Sequence, residues 1–267
     1  VLQVSRSCYF EWQNSKNLPN SAQLKLRLAI SVIFDKSRKT YGSRRMVKAL
    51  SIAGYKVGRY QVRSLMRKLN LEARYPKRFR VTTDSRHTLK VAPNLLRRQF
   101  NPTQPNQVWT TDLSIVWTKE GWVYLAVVID LYSRQVVGWA IDEHIKTTLC
   151  IRALQMAYWR KKPQSGLLQH SDRGVQYASR DYRQQLKIMG MKQSMSAKGD
   201  CWDNLPTERF FRSLKSEHLS YENLKTKLMA KLSMIDYIAS YNSQRLHSTL
   251  NYQSPIAFEA SFYKETA

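Results

Sequence analysis

The apolar positions of this 267-residue chain keep two different rhythms. Between residues 41 and 71 they recur at helical spacing: Met46, Leu50 and Ala53, then Val62, Leu65, Met66 and Leu69. Gly54 follows the first run where a left-handed cap residue belongs, and Gly58 precedes the second. The pattern predicts two short helices joined by a turn of a few residues, the layout of a helix-turn-helix, with a third helix over about 21–38 completing a small core. From residue 107 the period shortens. "QVWTTDLSIVWT" (107–118) and "GWVYLAVVIDLYS" (121–133) are rich in β-branched and aromatic residues, with Lys119 and Glu120 between them as a tight turn, and "RQVVGWAI" (134–141) reads as a third strand. Hairpin links make these three antiparallel. A helix over about 146–161, the strand "GLLQHS" (166–171), a helix near 180–188, a short strand over 192–196 and helices across most of 205–244 follow. Hairpins first, then strands alternating with helices, predict an α/β domain: a mixed sheet covered on both faces.

Four segments result: an N-terminal segment (1–20), the helix-turn-helix domain (21–73), a basic linker (74–105) and the α/β domain with its C-terminal helices (106–262). The linker has no sustained period and carries Pro76 and Pro93 as breakers. With 43% hydrophobic residues the chain can build a real core, and no apolar run approaches the roughly 20 residues that cross a bilayer. Cys8, Cys150 and Cys201 lie far apart with no CxxC, which argues against a disulfide framework or a zinc site and for a reducing cytoplasm. The first residue is Val1 rather than Met, so the chain reads as a fragment or as the downstream part of a longer product.

Charge narrows the function. A net charge of +25 calls for a polyanion, and nucleic acid comes first because neutralised phosphates release condensed counterions. A membrane surface is the alternative, but a basic anchor would be local, and this charge is spread widely. Residues 1–105 hold 23 Lys+Arg against 4 Asp+Glu, and residues 106–267 hold 21 against 15. The first half therefore reads as the DNA grip. Arg59, Arg63, Arg67 and Lys68 lie on the polar face of its second helix, suited to phosphates and guanine edges in a major groove; the alternative is a basic two-helix packing unit.

The second half holds most of the acids, and three of them stand out. Asp112 interrupts a strand of Trp109, Leu113, Ile115, Val116 and Trp117, where a carboxylate is costly unless paired or metal-bound. Asp172 falls at the C-terminal end of the fourth strand, where open α/β sheets gather ligands. Glu208 opens a helix whose buried stripe is Phe210, Phe211 and Leu214; Pro206 fits the first turn, and Glu208, Arg212 and Lys215 share another face. Three carboxylates on separate elements, with no Cys/His cluster, suit hard divalent cations, magnesium first and manganese second. Two such ions activate water or a 3′-hydroxyl at a phosphodiester, with Lys215 and Arg212 as DNA contacts beside them. The competing readings are a turn cap for Asp172 and a solvated ion pair with Arg212 for Glu208.

"WTTDLSIV", "HSDRGVQYAS" and "SMSAKGDCWDNLPTERFFRSLKSE", which carry the three acids, resemble the second-reading-frame (OrfB) transposases of bacterial insertion sequences, members of the DDE transposase/retroviral integrase superfamily. The 35 residues between Asp172 and Glu208 match that family's D,D-35-E spacing, Lys215 matches its following basic residue, and "YNSQRLHSTLNYQSPIAFE" (241–259) is similar to its closing motif. The resemblance covers nearly the whole chain. It implies a ribonuclease H-like core with a mixed five-stranded sheet, catalysis by Asp112, Asp172 and Glu208 with two Mg2+ or Mn2+ ions, hydrolysis at the element's ends and then strand transfer, often first between the element's own ends to give a circle. It further implies terminal inverted repeats and target DNA as substrates, a homo-oligomer, an upstream-frame product as fusion or partner, and a bacterial, nucleoid-associated location. A DNA-binding regulator without catalysis and a structure-specific nuclease on the same fold are the rival functions. Among the remaining polar residues, Asp130 reads as a turn residue, Asp200 and Asp203 as caps of the next helix, and Asn204 as a cap or a site contact. His170 reads as a packed strand-end histidine or a DNA contact, Trp202 as an aromatic plug rather than a base-stacking group, and Arg245 and His247 as phosphate contacts or packing for the last helix.

Overall fold

The computed structural model describes residues 5–17, 21–74, 89–197 and 201–265. The chain forms two compact units that divide after Arg74. Among the described residues the first holds four helices: α1 (Arg6–Asn17), α2 (Ser21–Lys36), α3 (Ser43–Ile52) and α4 (Arg59–Lys68). Leu26, Ile30 and Phe34 of α2 are buried with Met46 and Leu50 of α3 and Val62, Leu65 and Met66 of α4, so the apolar spacing becomes a three-helix core. Gly54, at φ +87°, ends α3 in the left-handed region, where a side chain would be strained, and the following Tyr55 N–H returns to the Leu50 carbonyl at 2.9 Å. Gly58 is the N-cap of α4. Ala53 and Leu69, counted in the two apolar stripes, instead occupy the C-cap positions. Pattern reading did not foresee α1, whose described side chains are all exposed.

The second unit is built on a five-stranded sheet: β1 (Val108–Thr118), β2 (Gly121–Asp130), β3 (Val136–Asp142), β4 (Leu168–Ser171) and β5 (Lys192–Met195), in the order β3-β2-β1-β4-β5. β1, β2 and β3 pair antiparallel, while β4 and β5 add in parallel to β1. Among the described residues six α-helices accompany it: α5 (Thr147–Lys161), α6 (Val175–Ala178), α7 (Arg180–Ile188), α8 (Leu205–Ser213), α9 (Lys227–Ser243) and α10 (Pro255–Glu265). Alternation along the central strands feeds two cores. Ala126 and Val128 face Leu149, Ala153, Leu154 and Ala157 of α5. Val123, Leu125, Val127 and Ile129 face Phe210, Phe211 and Leu214, with Met234 and Ile238 of α9. Gly138 of β3 lets α5 lie directly on the sheet, since a Cβ there would stand 2.3 Å from the Ala153 carbonyl oxygen.

The expected mixed α/β sheet covered on both faces is therefore the architecture observed, with shorter strands. β2 stops at Asp130 because its carboxylate accepts hydrogen bonds from the Ser133 backbone N–H and hydroxyl, closing a turn. Arg134 then takes φ +59°, so β3 starts at Val136. The helical stretch after 205 is broken: α8 passes into a π turn (Leu214–His218) and a 3-10 turn (Leu219–Tyr221) before α9. No described helix is long and apolar enough to cross a membrane. Pro76 and Asp200 lie outside the described residues.

Candidate active site

The ladder between β1 and β4 brings the first two acids together. Thr111 and Ser171 are Cα partners in its last parallel pair, so Asp112 and Asp172 are the next residues on adjacent chains, where strands lie about 4.8 Å apart. Asp112 also pairs across β1/β2 with Val127, whose side chain enters the core beneath α8 and α9, so the carboxylate is on the α8 face of the sheet. Its Oδ1 accepts the Leu113 backbone N–H at 2.7 Å. Just past β4, Asp172 Oδ1 accepts the Gly174 backbone N–H at 2.9 Å. That turn bond occupies one of the roughly four lone-pair positions of a carboxylate, so the turn-capping expected of Asp172 is present and leaves acceptor positions over.

A buried polar knot fixes the third acid. Asn204 Nδ2 donates to the Thr111 carbonyl at 3.1 Å, and the Thr207 hydroxyl bonds the Thr110 hydroxyl at 2.8 Å and Asn204 Oδ1 at 3.1 Å. Thr110, Asn204 and Thr207 are all buried, so each bond replaces one to water that folding removed. The first turn of α8 is thereby tied to the two β1 residues before Asp112, and Glu208 comes one residue after the tie. Pro206 sits in that first turn without disturbing it.

The electrostatics record the convergence. Burial raises the Asp112 carboxyl well above the usual carboxylate range; the charges of Asp172 and Glu208 add to this, against the Leu113 N–H and the Lys215 ammonium. Glu208 is raised by burial and by Asp172, with Arg212 opposing. Burial lowers the Lys215 ammonium, and Asp112 supports its charge. Among the described residues no three His, Cys, Asp or Glu side chains are drawn into one metal-holding cluster. Asp172 and Glu208 nonetheless act on Asp112 through their charges. The donor chemistry fits a hard divalent cation, whose charge would relieve the crowding that raises Asp112.

Comparison with known proteins decides the family. Residues 102–201 and 189–255 each match the integrase core domain, and residues 21–79 match an HTH-like domain. The chain is 42% identical to the uncharacterized 31 kDa protein of insertion element IS600 from Shigella sonnei, over 100% of this chain and 99% of that protein. It is 38% identical to the transposase InsF for insertion sequence IS3A of Escherichia coli strain K12, over 97% of this chain and 91% of that protein. The chain belongs to the IS3 family of transposases. A chain in the cryo-EM structure of the simian T-cell lymphotropic virus intasome, in complex with the PP2A regulatory subunit B56 gamma, shares the transposase's fold. The TM-score is 0.51 at 14% identity, over 79% of this chain and 69% of that one.

The structure also places the other residues singled out in the transposase sequence. Arg59, Arg63, Arg67 and Lys68 are exposed on α4, the three arginines four residues apart along one ridge. Arg212 is exposed, and Lys215 is half-buried in the π turn. Asp130 serves its turn and also accepts the Asn106 N–H at 3.0 Å. Asp203 does not cap α8: it is buried and accepts from Arg98 Nε, Asn94 Nδ2 and the Ala197 N–H, each at 2.8 Å. Asn204 holds the N-cap position of α8 but makes no side-chain cap bond, its side chain being committed to β1. His170 is packed between Ser194 Oγ at 2.8 Å and Ser196 Oγ at 3.3 Å, and burial pushes its imidazole down to about 4. Trp202 is 63% exposed, so it is no core plug. Arg245 pairs internally with Glu217 (Nε–Oε2 2.9 Å, Nη2–Oε1 2.6 Å) and lies over the Tyr241 ring, while His247 meets that ring edge-on. The closing motif thus packs the end of the transposase fold rather than presenting cations to phosphate. The Thr110–Asn204–Thr207 knot was missed. Its one sequence signal is that Thr207 lies three and four residues before Phe210 and Phe211, a polar group on an apolar stripe.

Proposed function

We propose that this transposase hydrolyses phosphodiesters at the ends of its insertion element and transfers the freed 3′-hydroxyls to new strands, with Asp112, Asp172 and Glu208 as catalytic and metal-holding residues. The carrying observation is the register of β1 against β4 together with the knot that ties α8 to β1, which support one catalytic corner made from three distant parts of the chain. Magnesium, or manganese, as two ions that Asp112, Asp172 and Glu208 would hold, would supply Lewis acidity and activate the oxygen nucleophile at the scissile phosphate. The chain's own groups do the rest. The rigid β1/β4 edge fixes two carboxylates, the knot sets the third, and Lys215 places a cation beside Asp112 to meet phosphate. In hydrolysis water adds to phosphorus and the P–O3′ bond breaks; in transfer that 3′-oxygen attacks a second phosphodiester and expels another 3′-oxygen.

In this reading residues 21–73 grip DNA through Arg59, Arg63, Arg67 and Lys68, residues 74–105 form a basic linker, and residues 106–262 carry the chemistry. Joining two ends calls for at least two copies of the chain. The upstream frame's product supplies further recognition as fusion or partner, and the work is done on bacterial DNA in the cytoplasm. The test is incubation of the chain, alone and as the frame fusion, with duplexes bearing the element's terminal repeats and Mg2+. Nicked and joined products are expected; Asp112→Asn that cuts and joins as the parent does would refute the assignment.

A further inference from the structure

Trp202 belongs to a short 3-10 turn, Cys201–Asn204, and stays 63% exposed while its two successors are 2% (Asp203) and 3% (Asn204) exposed. Asp203 ties the turn to Asn94, Arg98 and Ala197, and Asn204 ties it to Thr111 of β1. Two consecutive buried, bonded residues anchor the backbone of the turn, and the indole beside them keeps most of its surface exposed. Its direction follows from burial. Trp202 and Glu208 are both exposed while Asp203, Asn204 and Thr207 between them are buried, so the two lie on the open side of the segment. Thr207, Phe210 and Phe211 form the buried flank. Rises of about 2.0 and 1.5 Å per residue put Trp202 about 10 Å from Glu208 along the segment. That is about three base steps of 3.4 Å. Half-exposed Arg98, held by Asp203, and exposed Arg212 bring positive charge to the same segment.

We infer that Trp202 is the stacking platform for one unpaired nucleobase of the element end, within about three nucleotides of the scissile phosphodiester. A phosphodiester drawn into a corner at the strand ends is easier to reach once its neighbouring pair opens, and a flat aromatic on a rigid turn offsets the lost stacking without reading sequence. The inference rests on the proposed function.

The test uses the full chain and duplexes carrying the terminal repeats, with 2-aminopurine placed singly at the four positions on each side of the cut or, in separate arms, in target DNA. Binding by the parent should change the fluorescence at one element-end position; Trp202→Ala should abolish that change and Trp202→Phe should retain it. Cleavage should fall about tenfold in Trp202→Ala, and an abasic site at the sensed position should bring the parent to the same level. A parent that cuts, alongside a Trp202→Ala variant that cuts and reports equally well, overturns the platform and leaves the catalytic reading standing. A signal confined to target DNA overturns its placement at the element end. A Trp202-dependent signal with no cleavage by the parent supports the platform while the catalytic reading fails, and a parent that neither cuts nor reports overturns both.

Discussion

The two units of this transposase spend charge in opposite ways. In the first, the cations of α4 are exposed around a core built from Leu26, Ile30 and Phe34, Met46 and Leu50, and Val62, Leu65 and Met66. In the second, burial and neighbouring charge raise the cost of ionising Asp112, beside Asp172 and Glu208, and that of Glu208, beside Asp172. Exposed charge is screened, cheap to keep and tolerant of substitution. Partly buried charge is expensive, so the protein builds backbone registers and polar knots to keep it in place. The first arrangement suits affinity for a polyanion; the second suits chemistry. Substitutions should therefore separate binding from turnover cleanly.

The largest separation is expected at the acids. Asp172→Asn should lower cleavage of a terminal-repeat duplex by about a thousandfold or more, since several kcal/mol of charge stabilisation go with a metal ligand. Binding of the same duplex, read by fluorescence anisotropy, should stay within about twofold. Next comes the knot. Thr207→Val deprives buried Thr110 and Asn204 of a partner, costing about 1–3 kcal/mol in denaturant unfolding. Turnover should fall by about 10- to 100-fold through displacement of Glu208, and Thr207→Ser should restore most of both. In the first unit the effect is smaller and of another kind. Arg63→Ala should weaken DNA binding and reduce the slope of log affinity against log salt by about 0.9, with the rate at saturating DNA unchanged. Smallest of all, Arg212→Gln removes an exposed charge acting on Glu208 and should change the rate by less than about threefold. A fall in turnover at saturating DNA for Arg63→Ala would break the separation between the units.

Much of the fold and of the candidate site is legible in the amino-acid sequence, because the signal for each element and each acid is local. Helical periodicity with Gly54 and Gly58 marks α3 and α4, and β-branched runs around Lys119 and Glu120 mark the first hairpin. Asp112 stands out as a carboxylate among apolar strand residues, and Asp172 as an acid at a strand end. What escapes a sequence reading depends on contacts between distant residues or on breaks in regular geometry. Asp203 reads as a cap until Asn94 and Arg98, more than a hundred residues earlier, are seen to hold it. Trp202 reads as core by composition, and only the burial of its two successors pushes it outward. The π turn at Leu214–His218 has no periodic signature, and α6, four residues long, is too short to carry one.

The central claim is that Asp112, Asp172 and Glu208 act as one cation-holding corner. Mn2+ titration of the full chain, followed by electron paramagnetic resonance, tests it directly. Bound Mn2+ should appear in the parent with terminal-repeat DNA and be lost or sharply weakened in each of Asp112→Asn, Asp172→Asn and Glu208→Gln. Equal Mn2+ binding by the parent and all three variants would contradict the claim.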